Sequence, residues 1–175
     1  MPGSRPLFLL LIAAVAIERL VELVISRRHE RALRARGAVE SGGGHYPLMV
    51  AVHAALLAGA AAEVLLLDRP FLPRLGWPML ALVAATMTLR YWVIATLGER
   101  WTTRVLVLPN APLVAGGPYR WLRHPNYLAV AVEVFALPLV HTAWLTALVC
   151  GAANLAVLAL RIRVENAALD EVAPR

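Results

Sequence analysis

Lysine is absent from this 175-residue chain, and all 17 basic residues are arginine. With the abundance of Ala, Leu and Val, this reflects the coding bias of a GC-rich genome and carries no mechanism. Cysteine occurs once, as Cys150, which excludes an intrachain disulfide and a cysteine-based metal site. Its apolar neighbours make it a small buried hydrophobe. Charge is scarce, at 16% of residues against ~25% in soluble domains. No dinucleotide-binding glycine fingerprint, P-loop, HExxH or Gly-x-Ser-x-Gly is present, so common nucleotide, zinc-hydrolase and serine-hydrolase sites are not indicated, and no metal is expected. There are no internal repeats and no low-complexity tract.

What fills the chain is apolar sequence, 60% of its residues. A membrane-spanning helix takes ~20 mostly apolar residues, and about five such stretches consume most of the length. The expected fold is an all-α integral membrane bundle forming one domain over 1–175, with helices roughly at 6–26, 47–67, 76–97, 126–140 and 143–163. Ala14-Val15-Ala16 mimics a signal-peptide cleavage site, but the apolar pattern continues through Ile25 and reads as a retained helix. Pro47 opens the second helix. Only His141 and Thr142 separate the last two, which predicts a tight hairpin.

Arginine placement orients the bundle. Arg27, Arg28, Arg31, Arg34 and Arg36 follow the first helix, and Arg100, Arg104, Arg120 and Arg123 follow the third. Arg161, Arg163 and Arg175 close the chain, whereas the opposite side holds only Arg5, Arg69 and Arg74. The N-terminus is therefore expected outside, and the C-terminus in the cytoplasm of a bacterial cell. Arginines placed by topology also explain the net charge of +6 without nucleic acid, which is not expected as a partner.

Charges within the spans cost ~2.5–3.5 kcal/mol each on insertion scales. Glu18, Arg19 and Glu22 on the first helix suit glue between helices, with Arg19 pairing Glu22 at i,i+3. Glu63 lies near the outer end, within reach of water. Arg90 and Glu133 each stand alone on their helix, at a depth from which snorkelling is hard. They form a mutual ion pair or line a pocket, and are the candidate catalytic residues.

The connection from 98 to 125 is long for a membrane bundle and polar. It holds a possible extended piece near Trp101–Pro109, then Gly116-Gly117-Pro118-Tyr119, then Arg123-His124 just before Pro125. Arginine, histidine and a helix N-terminus together suit an anion such as a carboxylate. On the last helix Asn154, Arg161 and Glu165 fall at i, i+7 and i+11, on one face ending at the same surface.

The run Gly117-Pro118-Tyr119 with Arg123-His124-Pro125-Asn126-Tyr127, followed by Arg161-Ile162-Arg163-Val164-Glu165, resembles the isoprenylcysteine carboxyl methyltransferase family, which extends to phospholipid methyltransferases. The N-terminal half, with Glu22, Glu40, His45-Tyr46-Pro47 and His53, is similar to a short bacterial subgroup, some of whose members methylate alkylresorcinols or alkylpyrones. The resemblance implies an S-adenosylmethionine-dependent methyltransferase, with Gly117, Tyr119, Arg123, His124, Tyr127, Arg161 and Glu165 around the cofactor. It also implies a lipophilic or prenylated acceptor reached from the membrane lipids. The chain departs from the family at Asn166, where a second Glu is usual, and in stopping at Arg175 without the usual aromatic continuation.

Methyl transfer from a sulfonium needs alignment and exclusion of water. A carboxylate acceptor needs no base, whereas a phenol or enol does, and Glu133, His45 and His53 are the candidates. Rival readings are a membrane reductase using NADPH and a non-catalytic transport or interaction protein that uses the intramembrane charges.

Overall fold

Five helices account for most of the computed structural model, which describes residues 3–109 and 111–172. They are α1 (Ser4–Ala35), α2 (Tyr46–Leu66), α3 (Pro73–Leu97), α4 (Pro125–Leu139) and α5 (Trp144–Val172). The second, third and fourth each begin with proline in the first turn, where its missing N–H costs nothing. Two short strands, β1 (Val39–Glu40) and β2 (Leu106–Val107), pair antiparallel and tie the α1–α2 connection to the α3–α4 connection. The fold is an all-α membrane bundle, as expected.

Three segments, Gly43–Leu66, Pro73–Arg100 and Trp144–Glu171, are long and apolar enough to cross a membrane. Glu18, Arg19 and Glu22 interrupt the apolar stretch of α1, and α4 has only 15 residues. At 1.5 Å per residue α4 is about 22 Å long, short of a ~30 Å hydrocarbon core.

Helix α1 outruns the expected 6–26. Arg27, Arg28, Arg31 and Arg34 lie on its C-terminal extension and not in a loop. Arginine is a good helix former, and the extension is anchored. Ser26 Oγ lies 2.9 Å from Thr103 Oγ1, and His29 Nδ1 donates to the Trp101 carbonyl at 2.8 Å. Helix α5 likewise runs past 163, so Glu165 is helical.

Helix ends sort into two groups. At one end Ser4 meets His141, Arg5 pairs with Asp68 and Thr142 Oγ1 donates to the Pro70 carbonyl at 2.7 Å. Thr142, at φ 55°, makes the tight turn of the α4–α5 hairpin. Glu63 does not reach out to water here. Buried, it accepts from the N–H groups of Leu145 (3.1 Å) and Thr146 (2.7 Å) and so caps α5, with Arg69 beside it. At the other end the two strands pair, and Glu40 bridges Arg34 and Arg104.

The dry core fills the hairpin half. Phe8, Ile12 and Val15 of α1 pack there with Ala60, Val64, Val83, Ala136, Leu137 and Val140. The other half is looser and polar, and it holds the cavities.

Candidate functional site

Between the two halves lies a charged layer. Arg90 and Glu133 do not pair with each other. Arg19 Nη2 binds both oxygens of Glu133 at 2.5 and 2.6 Å, while its Nη1 reaches Glu22 at 2.8 Å and Glu18 at 3.0 Å. Glu22 in turn binds Arg90 through Nε and through Nη2 at 2.5 Å. Of the two expected arrangements, the direct pair is thus replaced by a chain through α1, because Arg19 and Glu22 project toward α4 and α3 and offer each charge a nearer partner.

Above this layer are two adjoining cavities. The first, about 310 Å³, is lined by α1, α2, α3, α4, α5 and the segment after α3. Leu20, Leu23, Val50, Leu57, Val130 and Val157 supply its apolar wall, and Arg19, Glu22, His53, Arg90, Asn126 and Asn154 its polar groups. Leu20 and Val50, both exposed on the outer surface of the bundle, also line it. The second cavity, about 100 Å³, is lined among others by Arg100, Val105, Val107, Tyr119, His124 and Glu165. Trp101, Thr102, Asn126, Tyr127 and Arg161 belong to both.

Helix periodicity builds the shared wall. On α5, Asn154, Arg161 and Glu165 do lie along one face, the first two buried. Arg161 Nε donates to the Tyr127 hydroxyl at 2.9 Å, and that hydroxyl donates to Glu165 Oε2. His124 stacks on Tyr127 with ring centroids 5.3 Å apart, and its Nε2 lies 3.0 Å from Asn166 Oδ1. Asn166, the departure noted in the sequence, therefore holds His124. Burial, with the charge of Glu165, pushes the Tyr119 hydroxyl up, so it remains a neutral donor.

Arg161 is 6% exposed and has no carboxylate partner among the described residues; its Nη1 lies 3.0 Å from Met49 Sδ. Two further donors at the cavities are enclosed without partners among the described residues: the Trp101 indole Nε1, which lines both, and the Asn154 amide Nδ2, which lines the first. A buried cation and orphaned donors are costly unless something accepts from them. They make the cavity walls suited to an anion or an oxygen-rich ligand.

Not every expected residue comes to the site. Gly117 lines neither cavity. Its φ of 55° and its approach to α3, where a Cβ would stand 2.2 Å from Thr96 Oγ1, demand glycine for packing. Arg123 is exposed and lines neither cavity. Glu133 is buried behind Arg19, away from both, whereas Arg90 reaches the first cavity's wall. Trp101, Asn126 and Met49 were not singled out as site residues. Asn126 sat inside the Arg-His-Pro-Asn-Tyr run, and Trp101 in the unusually long polar connection, which were the available signals.

The model of the isoprenylcysteine carboxyl methyltransferase family matches residues 79–171. The uncharacterized protein YpbQ of Bacillus subtilis (strain 168) is 36% identical over 166 residues, spanning 94% of this chain and 98% of that one. An uncharacterized protein of Haemophilus influenzae is 32% identical over 166 residues, spanning 93% of this chain and 95% of its own. No solved structure matches the chain. The match across the charged connection, α4 and α5 makes this chain a member of the isoprenylcysteine carboxyl methyltransferase family.

Proposed function

We propose that the protein is a multi-pass membrane methyltransferase that moves a methyl group from S-adenosylmethionine to an oxygen of a lipophilic acceptor. The observation that carries the reading is Arg161, a buried guanidinium without a carboxylate partner among the described residues, at the wall between two cavities. The cofactor supplies an electrophilic methyl on a sulfonium. Tyr119, His124, Tyr127, Arg161 and Glu165 would hold it in the second cavity. Arg161 suits its carboxylate, and Glu165 its amino group or ribose hydroxyls. Small-molecule sites typically enclose ~300–1,000 Å³. The second cavity falls short at about 100 Å³, so binding would have to displace the β2 segment that lines it.

The first cavity, mainly apolar and lined in part by the exposed Leu20 and Val50, would take the acceptor. An alkylresorcinol or alkylpyrone fits this apolar chamber, with a prenylcysteine carboxylate as the next candidate. The arginine-rich end, which carries both cavities, would face the cytoplasm. Arg90 would line the acceptor site, and Glu133 would act at one remove by fixing Arg19.

Calorimetry in detergent with S-adenosylhomocysteine tests the cofactor, and labelled S-adenosylmethionine with an alkylresorcinol or a farnesylcysteine analogue tests the transfer. Saturable binding and label in one acceptor are expected. Binding of NADPH in place of S-adenosylhomocysteine would overturn the reading.

A further inference from the structure

His53 belongs to the face of α2 that carries Met49 and Leu57, and all three line the first cavity. Its Nδ1 lies 2.9 Å from the Met49 carbonyl oxygen. A carbonyl only accepts, so Nδ1 carries the hydrogen and Nε2 of the neutral ring carries the lone pair. Nε2 has no hydrogen-bond partner among the described residues.

The other acid–base groups around the chamber are engaged. Glu22 is held between Arg19 and Arg90, and the Tyr127 hydroxyl between Arg161 and Glu165. Glu133, on α4, is held by Arg19. On α1, α3 and α5 the facing cations are Arg19, Arg90 and Arg161. That leaves one uncommitted basic lone pair in a largely apolar chamber.

We infer that His53 Nε2 is the base that takes the proton from the hydroxyl of the proposed acceptor. The inference rests on the methyltransferase reading and narrows it. A carboxylate near ~4 arrives ionised and has no use for a base. An ammonium would also have to lose a proton, so wild-type transfer to phosphatidylethanolamine alone would overturn the hydroxyl acceptor. In the step, the acceptor O–H bond breaks and its proton goes to Nε2. An oxygen lone pair forms the bond to the methyl carbon, and the pair of the broken C–S bond stays on sulfur as a neutral thioether. The imidazolium then returns its proton to water.

The test uses the full-length protein in nanodiscs, with His53→Gln and His53→Asn and their unfolding midpoints and S-adenosylhomocysteine affinity as controls. A long-chain alkyl nitrophenol reports its own ionisation by absorbance, with S-adenosylhomocysteine present and no turnover. Both variants should raise the bound probe's apparent ionisation midpoint, by about tenfold in the constant. In the transfer assay near neutral pH they should lose ~100-fold or more on an alkylresorcinol, whose hydroxyl titrates near ~10. They should stay within about threefold of wild type on the nitrophenol at a pH well above the midpoint measured for it in each variant, where it is ionised without a base. Equal losses on both acceptors, no loss on either, or an unmoved midpoint overturns the inference. So does wild-type transfer to a farnesylcysteine carboxylate alone. Failure of the wild type to bind S-adenosylhomocysteine overturns instead the methyltransferase reading.

Discussion

Arg19 Nη2 grips both carboxylate oxygens of Glu133, at 2.5 and 2.6 Å, across 114 residues of sequence. The pair fastens the first helix to the fourth in the interior, where removing one partner strands the other's charge at a cost of ~3–5 kcal/mol. Arg19→Leu should therefore lower the unfolding midpoint sharply, and Arg19→Leu with Glu133→Leu should recover about half of the loss. Thermal unfolding in detergent measures both. If Glu133→Gln abolishes transfer while leaving the unfolding midpoint and cofactor affinity intact, Glu133 is chemical and not structural.

The sign reverses at Arg161. Its charge is buried with no carboxylate partner among the described residues, so Arg161→Met should hold or raise the unfolding midpoint of the free protein. The same change should weaken S-adenosylhomocysteine binding by roughly tenfold or more, the scale of a charge-assisted hydrogen bond. Calorimetry beside thermal unfolding separates the two effects. A destabilised variant with wild-type affinity would assign Arg161 to packing.

Orientation can be read with thiol reagents. In a Cys150→Ala background, a cysteine at Ser41 belongs to the strand-bearing end and one at Pro73 starts α3 at the other. The arginine distribution predicts that an impermeant reagent in intact cells modifies position 73 and spares position 41. The reverse pattern would place the cavities outside.

Glu40 gives the strand pair a dependence on pH. Burial alone would raise its carboxyl, but hydrogen bonds from Arg104 and Arg34 outweigh that and hold it below the usual carboxylate range. A carboxyl depressed in the folded state contributes stability above its unfolded value of ~4.3, and the contribution fades as pH falls through the folded value. Glu40→Gln should therefore show a deficit in unfolding midpoint at pH 7 that shrinks below about pH 4. A deficit constant over that range would mean the ion pairs contribute nothing.

Residue pattern made the helices legible: the apolar runs at 47–67 and 76–97 and the two-residue break at His141-Thr142 each correspond to an observed element. The end of α1 was not, because arginines that a topology rule reads as loop are also good helix formers. The face of Asn154, Arg161 and Glu165 was legible from spacing alone, since one helix carries it. Partner choice across helices was not. The residue pattern left Arg90 and Glu133 as either a mutual pair or pocket-lining groups, and α1 supplies each with a nearer counter-charge. Gly117 read as a ligand-approaching glycine, yet the close neighbour is Thr96 of α3, a contact no local pattern encodes.

The two cavities draw on different parts of the chain. Every residue lining the second falls between Leu97 and Leu169, inside the family-matched 79–171. The first also takes Ala16, Leu20, Met49, His53 and Leu57 from α1 and α2, ahead of that region. Substitutions along those two helices can reshape the first chamber without altering a side chain that lines its neighbour. On the proposed assignment, descent within such a lineage is free to exchange one greasy acceptor for another while inheriting the methyl-donor machinery intact.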